Sequence, residues 1–367
     1  MKSRAAVCRA FGKPMSIEEI EVADPGPGEV RVALAATAIC HSDISYAEGA
    51  WGGPLPAVYG HESAGRVIDV GPGVAGLKPG DPVVVTLIRS CGACRMCVSG
   101  KPVFCEATFP LDDKGPISTR AGEPLWQAMR VGGFAEHVTV HASQAIKVEI
   151  DVPLDEAALV ACAVITGVGA VTRSAGVRMG ESVVVIGAGG VGLNAVQGAR
   201  LVGADPIVAM DVAPAKLEAA KRFGATHAVD ARAPDAKAQV KAITGGRYAD
   251  HVFVTVGAKS AIEAALPLIA RAGTVVLVGM PASGVTAEID PTMIAATGQR
   301  IVGSKMGDAQ VALDVPRLLS LRAEGRLKLG ELISGRFPLE RIDEAIEGVR
   351  SGAALRNVIA FRGEGGA

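Results

Sequence analysis

The sequence has few aromatic residues and almost no net charge. Phe, Trp and Tyr make up 4% of its 367 residues, and 37 Lys and Arg balance 38 Asp and Glu to a net charge of -1. A balanced charge provides no electrostatic reason to bind nucleic acid or an anionic membrane. The composition therefore argues against a nucleic-acid-binding or membrane-surface protein.

Long hydrophobic runs are also missing. No stretch approaches the roughly 18 consecutive apolar residues of a membrane helix, and the opening MKSRAAVCRAFGKPM lacks the apolar segment of a signal peptide. We therefore expect a cytoplasmic protein with no membrane span. Hydrophobic residues still make up 49% of the chain, enough for a sizeable core. Its length favours two domains, because single cores stop growing at roughly 250–300 residues.

The distribution of cysteine along the chain is the most informative feature of the composition. The chain has seven, an odd number, and disulfides are rare in the cytosol. Four lie in SCGACRMCVSGKPVFC with the spacing C-x2-C-x2-C-x7-C, which suits one tetrahedral zinc; a redox-active or disulfide-linked loop is the alternative. Four thiolates leave zinc no open position. The pattern thus predicts a structural site, and the chemistry must lie elsewhere. The four residues are Cys91, Cys94, Cys97 and Cys105.

The pattern of strands and helices changes along the chain. Up to about residue 160, short β-type runs such as EVRVALAATA and DPVVVTLI are broken by Gly and Pro, which predicts an irregular β domain. Residues 106–133 have the composition of a long loop. After a helical segment beginning near residue 155, buried strands alternate with helices, which predicts a doubly wound parallel sheet. The fold class is α/β.

A glycine-rich turn follows the first of these strands. SVVVI is followed by Gly187, Gly189, Gly190 and Gly192, and a helix begins there. This strand–turn–helix context is typical of a dinucleotide site, with the pyrophosphate at the helix N-terminus. Asp211 ends the next strand, where a carboxylate accepts hydrogen bonds from the adenosine ribose and repels a 2′-phosphate. The motif predicts NAD rather than NADP.

Three further stretches contain metal-binding residue types: ICHSD with Cys40, YGHES with His61 and Glu62, and ACAVITG with Cys162. Singly, each is unremarkable, because free cysteine is usually core packing. The order of GHE followed by Gly65, the four-cysteine run and GAGGVG with a downstream Asp resembles the zinc-dependent alcohol dehydrogenases of the medium-chain dehydrogenase/reductase superfamily. The resemblance covers essentially the whole chain.

This resemblance implies two domains and two zinc ions. A GroES-like β domain would comprise residues 1–163 and 307–367, with a structural zinc lobe at about 91–133, and a Rossmann domain would comprise 164–306. The active site is expected in the cleft. A catalytic zinc would be held by Cys40, His61 and Cys162, with Glu62 beside it. The four-cysteine run would hold the structural zinc, and Cys8 would be a small apolar residue.

The same resemblance assigns the remaining site residues. Ser42 would take the substrate proton, and Asp43 would orient the histidine ligand. Many relatives have a histidine three residues after the Ser42 position, where this chain has Ser45, so the proton exit route differs. The expected cofactor contacts are pyrophosphate to His41 and Arg356, ribose to Lys216, and nicotinamide to Thr166 and Val191.

The predicted substrate pocket departs from that of small-alcohol members. Matching positions are Trp51, Leu87, Ala128 and Met129, which imply a wider apolar slot. The positions that hold a charged glutathione adduct in related formaldehyde dehydrogenases are Gly49, Trp51 and Phe109 here, which disfavours that substrate.

The predicted activity is NAD-dependent, reversible oxidation of apolar or aromatic primary and secondary alcohols to aldehydes or ketones. One alternative is a nicotinoprotein that keeps its NAD bound; another is a non-catalytic zinc- and nucleotide-binding scaffold. A homo-oligomer is expected, with a dimer favoured over a tetramer. Residues 106–133 resemble the longer lobe of dimeric members, and GTVVLVGMP resembles the strand that pairs across their dimer.

Overall fold

Residues 1–361 are described by a computed structural model, and they divide into two units. The first unit comprises Met1–Cys162 and the described residues from Gln310 onward, and the second comprises Ala163–Ala309. The chain therefore leaves the first unit directly after Cys162.

Short strands dominate the part of the first unit that precedes Cys162. Its few helices are brief, as expected from the many glycine and proline breaks. The elements are β1 (Lys2–Cys8), β2 (Ser16–Val22), β3 (Glu29–Ala38), α1 (His41–Ala47), β4 (Ala57–Val58), β5 (Glu62–Val70), β6 (Pro82–Val85), α2 (Arg95–Val98), α3 (Pro110–Asp113), β7 (Ile117–Thr119), β8 (Trp126–Gln127), β9 (His137–His141), β10 (Ala145–Lys147) and α4 (Leu154–Leu159).

The second unit alternates strands with helices. Its central strands are rich in valine and buried, because a parallel sheet is covered on both faces, whereas its two outer strands are partly exposed. The elements are α5 (Ile165–Gly169), β11 (Val183–Ile186), α6 (Gly190–Leu201), β12 (Ile207–Asp211), α7 (Pro214–Phe223), β13 (His227–Asp230), α8 (Ala236–Ile243), β14 (Ala249–Val254), α9 (Lys259–Ala265), β15 (Ile269–Leu277), α10 (Pro291–Thr297) and β16 (Arg300–Gly303).

The six strands of the second unit form one parallel sheet in the order β13-β12-β11-β14-β15-β16. Strand order reverses direction at β11, and such a switch point leaves a crevice at the carboxyl ends of the strands. The predicted α/β class with a doubly wound sheet is confirmed.

The chain returns to the first unit with α11 (Val311–Ala323), β17 (Ile333–Phe337), α12 (Ile342–Arg350) and β18 (Arg356–Ala360). One sheet has five strands in the order β7-β2-β1-β4-β8. The other has seven, in the order β10-β6-β5-β3-β18-β17, with β9 also paired to β3. In this second sheet Ala38 is paired with Glu62 on one side and Val358 on the other. The starts of β5 and β18 therefore lie beside the end of β3.

One helical run is long and apolar enough to cross a membrane. It extends over Leu154–Ala175 and includes π-helical turns at Val160–Val164 and Ala170–Ala175. Within its most apolar window, 89% of the residues are buried inside the protein, as in the core helix of a globular domain.

Two details differ from the sequence predictions. Residues 106–133 contain α3, β7 and β8, and β7 and β8 are the two edges of the five-stranded sheet, so this segment is not simply a loop. Strands of two or three residues are too short to show a period of two, and the sequence pattern missed them. The stretch GTVVLVGMP is not at an edge either, because β15 lies between β14 and β16.

Candidate metal centre and nucleotide site

Cys40 and Asp43 lie where β3 ends and α1 begins. Cys40 is the N-cap of α1, and its backbone N–H donates to Oδ2 of Asp43 at 2.9 Å. Oδ1 of Asp43 accepts the backbone N–H of Gly60 at 2.8 Å and lies 3.1 Å from Nδ1 of His61. Asp43 is fully buried, so these contacts offset the cost of enclosing its charge. One carboxylate thus links the helix start to the histidine.

Cys40, His61, Glu62 and Cys162 converge on one buried point. Their candidate ligand atoms all lie within 4.8 Å of one another. His61 and Glu62 come from the start of β5, and Cys162 comes from the π-helical turn Val160–Val164. π-Helical turns frequently occur at functional sites. The structure therefore brings together the four residues predicted for the catalytic metal.

The polar atoms of this cluster fit a bound cation. Nε2 of His61 and both carboxylate oxygens of Glu62 are buried, and within residues 1–361 they have no hydrogen-bond partner. Such atoms are costly unless something pairs with them. Two sulfurs, one imidazole nitrogen and a nearby carboxylate are also the donor set that zinc prefers.

The pKa values of the four side chains are shifted by their burial and by one another. Burial raises the pKa of Glu62 to about 8. A hydrogen bond between the two thiols lowers the pKa of Cys40 well below its ordinary value and raises that of Cys162. Burial opposes a charge on His61, but Asp43 and Cys40 together raise the pKa of that imidazole, so a metal at Nε2 would have to displace a proton. One negative charge is thus favoured on the thiol pair, and a cation among these atoms would allow the second thiol to ionise.

Arg356 lies on the far side of Glu62. Its Nη1 donates to the carbonyl of Ile39 at 3.0 Å and forms an ion pair with Oε1 of Glu62 at 3.3 Å. The Arg356 side chain is 4% exposed, and its observed partners are the carbonyl of Ile39 and the carboxylate of Glu62. Its predicted contact with the pyrophosphate stays a prediction.

The four-cysteine run forms a second cluster. The sulfurs of Cys91, Cys94, Cys97 and Cys105 lie within 4.8 Å of one another, and no disulfide joins any of the chain's cysteines. Backbone N–H groups lower the pKa of Cys94 to about 6, whereas burial raises that of Cys97 to about 12. The backbone N–H of Cys94 also lies 3.2 Å from the sulfur of Cys91. Four thiols this close need a cation before all of them can ionise, so this cluster also fits zinc.

The predicted dinucleotide turn lies at the carboxyl end of β11. Gly187 has a φ of 96°, which favours glycine. A Cβ added to Gly192 would lie 1.7 Å from the carbonyl oxygen of Gly187, so only glycine fits there. A Cβ on Gly189 would meet no atom within 4 Å, so the backbone is open at that point. Gly189 is also the N-cap of α6, whose N-terminus favours an anion.

Asp211 ends β12 beside this turn. Its Oδ2 accepts the backbone N–H of Ala188 at 2.7 Å, and its Oδ1 accepts that of Ala213 at 2.9 Å. Each carboxylate oxygen has a second lone pair for a ribose hydroxyl. The carboxylate therefore also shapes the glycine turn, a role the sequence did not indicate.

The other predicted cofactor residues occupy separate parts of the two units. In the second unit, Lys216 is half-buried on α7, Val191 is half-buried on α6, and the hydroxyl of Thr166 lies 3.5 Å from the sulfur of Met306. In the first unit, His41 is exposed at the start of α1 and Ser42, next to it, is half-buried.

The predicted substrate-pocket residues have different surroundings. Trp51 is half-buried and contacts Tyr46 edge-to-face at a ring distance of 5.1 Å. Leu87 and Met129 are half-buried, and Met129 has a left-handed φ of 49°. Ala128 is fully buried in the apolar cluster that contains Tyr59, and its place on the pocket wall stays a prediction. Matching by sequence position could not show that its methyl group is enclosed.

Comparisons with known proteins agree with this geometry. The family model for the alcohol dehydrogenase GroES-like domain matches residues 26–150, and that for zinc-binding dehydrogenases matches residues 190–323. The chain is 38% identical over 367 residues to an NDMA-dependent alcohol dehydrogenase of Amycolatopsis methanolica, a match that covers 98% of this chain and 99% of that one. It is 35% identical to an S-(hydroxymethyl)glutathione dehydrogenase of Photobacterium damsela subsp. piscicida, with 98% and 100% covered.

Two solved structures resemble the whole chain. An alcohol dehydrogenase zinc-binding domain protein from Burkholderia ambifaria has a TM-score of 0.94 at 35% identity, covering 99% of this chain and 100% of that one. Benzyl alcohol dehydrogenase from Acinetobacter calcoaceticus has a TM-score of 0.92 at 28% identity, with the same coverage.

Proposed function

The chain belongs to the zinc-dependent alcohol dehydrogenases of the medium-chain dehydrogenase/reductase superfamily, and we propose that it transfers hydride between an apolar or aromatic alcohol and NAD. The observation that carries this proposal is the buried cluster of Cys40, His61, Glu62 and Cys162. Its sulfur and nitrogen donors suit a catalytic zinc, as does the buried Nε2 of His61, which has no hydrogen-bond partner among residues 1–361. The reverse reaction would reduce an aldehyde or ketone.

Zinc in this cluster would act as a Lewis acid on the alcohol oxygen, and NAD would accept the hydride. Asp43 holds Nδ1 of His61 and thereby leaves Nε2 for the metal. Ser42, two residues beyond Cys40, would accept the proton of the substrate hydroxyl. Because Ser45 replaces the usual histidine, the proton would continue from Ser42 to the cofactor ribose and water, or through His41.

Asp211 supports NAD over NADP. A 2′-phosphate on the ribose would meet this carboxylate, and Val212, Ala213 and Pro214, which follow it, offer no cation to hold the phosphate. Lys216 lies one turn further along on α7 and would contact the ribose. His41 would contact the pyrophosphate, and Thr166 and Val191 would pack against the nicotinamide.

A nicotinoprotein is the second candidate. The relative from Amycolatopsis methanolica is NDMA-dependent by name and matches 98% of this chain. In this version of the proposal NAD stays bound through the cycle and is reoxidised by a second substrate. The two versions differ in whether added NAD is needed for turnover.

Apolar or aromatic alcohols are the proposed substrates. Trp51, Leu87 and Met129 supply half-buried apolar surface, and a benzyl alcohol dehydrogenase shares the fold along the chain. A glutathione adduct, by contrast, would need charged partners where this chain has Gly49, Trp51 and Phe109. Trp51, Leu87 and Met129 thus favour an uncharged substrate.

A homodimer is the proposed assembly, with β16 in place of β15 as the pairing strand. β16 is the edge of the six-stranded sheet, and exposed edges readily pair with a second chain. Large apolar side chains are exposed on and before it, among them Met280, Ile289, Met293 and Ile301. Ile301→Lys should convert a dimer to a monomer in light-scattering measurements.

Metal analysis combined with initial rates tests the main proposal. We expect two zinc ions per chain, one in each cluster, and NADH formation with benzyl-type alcohols. Absorbance between 300 and 400 nm after alcohol is added reveals bound cofactor in its reduced form. Together with turnover with and without added NAD, it separates the exchangeable from the tightly bound cofactor. A protein with zinc and nucleotide but no alcohol-dependent reduction would instead be the non-catalytic scaffold.

A further inference from the structure

A series of hydrogen bonds runs from Arg89, two residues before Cys91, to Ala161, the residue before Cys162. Arg89 is 2% exposed, and its Nε donates to Oε1 of Gln144 at 2.8 Å. Nε2 of Gln144 donates to the carbonyl of Thr86 at 2.9 Å. Oγ1 of Thr86 donates to the carbonyl of Ala161 at 2.8 Å. All four residues belong to the first unit, and Gln144 and Thr86 are fully buried.

At one end of this series of hydrogen bonds, Arg89 contacts the segment that contains the four cysteines. It lies two residues before Cys91, and its Nη1 donates to Oδ1 of Asp112 on α3 at 2.9 Å. Its guanidinium lies 5.6 Å from the ring centre of Phe109. Arg89 precedes the four cysteines in sequence and contacts Phe109 and Asp112, which follow them.

At the other end Thr86 bonds to the π-helical turn Val160–Val164, which contains Ala161 and Cys162. A π turn interrupts the regular i to i+4 ladder and changes which carbonyls are bonded within the helix. A side-chain hydroxyl on one of these carbonyls holds the turn in place. Because Cys162 follows Ala161 directly, the direction of its sulfur depends on how this turn is held.

We propose that Thr86 is a positioning residue for Cys162, and that Arg89 and Gln144 transmit to it the state of the four-cysteine cluster. This inference rests on the proposed function, because it requires a metal at the Cys40 cluster. Partners that orient metal ligands typically change metal affinity about 10–100-fold when removed. Thr86 would act on the sulfur ligand as Asp43 acts on the histidine ligand.

A matched control separates positioning from ordinary stability. Thr139 is also fully buried in the first unit, and its hydroxyl donates to the carbonyl of Ala23 at 2.9 Å. Neither residue of that pair belongs to a cysteine cluster. Thr86→Val and Thr139→Val therefore each remove the hydroxyl of a fully buried threonine, and Thr86→Ser keeps the hydroxyl.

The experiment uses the full chain loaded with cobalt(II) in place of zinc. The two sites absorb differently, since one has four sulfur ligands and the other has two with a nitrogen. Competition with a chelator measures cobalt affinity at each site. We expect Thr86→Val to weaken binding at the Cys40 cluster about tenfold and to shift its visible bands, whereas Thr86→Ser and Thr139→Val leave both unchanged. Equal losses in Thr86→Val and Thr139→Val would overturn the positioning role.

Transmission through Arg89 is tested by a double-mutant cycle. Arg89→Lys keeps the charge but cannot serve Gln144 and Asp112 together, so it should also weaken cobalt binding at the Cys40 cluster. If Arg89 acts through Thr86, Arg89→Lys should weaken cobalt binding little further in a protein that already carries Thr86→Val. If the two substitutions weaken cobalt binding independently, so that their fold-changes multiply in the double variant, Arg89 does not act through Thr86.

Measurements on the wild type show whether a negative result overturns only this inference or the proposed function as well. Wild-type protein that takes cobalt at the Cys40 cluster and oxidises alcohols, with no selective effect of Thr86→Val, overturns this inference alone. Absence of metal at that cluster in the wild type overturns both this inference and the proposed function.

Discussion

Oδ1 of Asp43 lies 3.1 Å from Nδ1 of His61, while Nε2 of the same ring has no hydrogen-bond partner within residues 1–361. The carboxylate holds the proton on Nδ1, so that Nε2 is the nitrogen that would give up its proton and bind the metal. The same carboxylate caps α1, the helix that Cys40 begins. Two of the four residues in the cluster are therefore oriented by one fully buried side chain.

Asp43→Asn should weaken the catalytic metal while sparing the structural one. Loss of the charge removes the preference for a proton on Nδ1 and weakens His61 as a donor, so metal affinity at the Cys40 cluster should fall about 10–100-fold. Chelator competition followed by metal analysis measures the change. Asp69→Asn, which removes an exposed carboxylate paired with Arg31, is the control and should leave affinity unchanged. Equal affinity in Asp43→Asn and the wild type would contradict the orienting role.

Cys94→Ser should remove one metal per chain and destabilise the protein. Binding of a structural zinc contributes directly to folding free energy, so the urea midpoint should fall together with the metal content. Cys8→Ala serves as the control, because Cys8 is buried in the apolar core outside both clusters. Full metal content in Cys94→Ser would refute the structural site.

Asp211→Ser should reduce the preference for NAD. The carboxylate's charge-assisted hydrogen bonds to the ribose are worth about 1.5–3 kcal/mol, so efficiency with NAD should fall roughly 10–100-fold. Catalytic efficiency with NADP should fall less or rise, because the carboxylate no longer repels the 2′-phosphate. Asp230 ends the neighbouring strand β13 in register with Asp211, so Asp230→Ser is a control at the same sheet edge. A wild type equally efficient with NADP would rule out this role for Asp211.

Ala128→Phe should destabilise the fold rather than change substrate preference. Ala128 is fully buried in the apolar cluster with Tyr59 and Phe134, and overpacking of this kind costs about 1–3 kcal/mol. Urea unfolding measures the loss. Leu87→Phe is the comparison, because Leu87 is half-buried and has room to adjust. A stable Ala128→Phe protein with an altered ratio of benzyl alcohol to ethanol activity would show that Ala128 lines the pocket.

Larger alcohols should be better substrates than ethanol. Each buried methylene contributes about 0.8 kcal/mol, which is roughly fourfold in catalytic efficiency per carbon until the slot is full. Benzyl or C5–C8 alcohols should therefore exceed ethanol by about two orders of magnitude on this arithmetic. Leu87→Phe should lower this ratio by narrowing the slot, whereas Met179→Leu, at an exposed position of the second unit, should not. Initial rates at saturating cofactor measure the ratio of activity on larger alcohols to activity on ethanol. A wild type that prefers ethanol would exclude the wide apolar slot.

Much of the candidate site was predictable because its signals are local. The turn from Gly187 to Gly192 requires glycine within six consecutive residues, and the four-cysteine run lies within one short segment. Alternating strands and helices of the second unit each carry their own apolar pattern. Cys40, His61 and Cys162 are far apart in sequence, and only the resemblance to a family connected them.

The sequence by itself determined the α/β class, the glycine turn and the cysteine spacing, because each depends on neighbours along the chain. The tertiary structure alone decided which partner each buried polar group would find. Arg356 pairs with Glu62 because β18 and β5 both flank β3, and Arg89 reaches Gln144 from another part of the first unit. An arginine directly after VVVTLI, a run that is apolar except for Thr86, indicated that its charge would need a partner. The identity of that partner depends on strand pairing. Enclosure of Ala128 likewise depends on packing between distant segments, which no local pattern records.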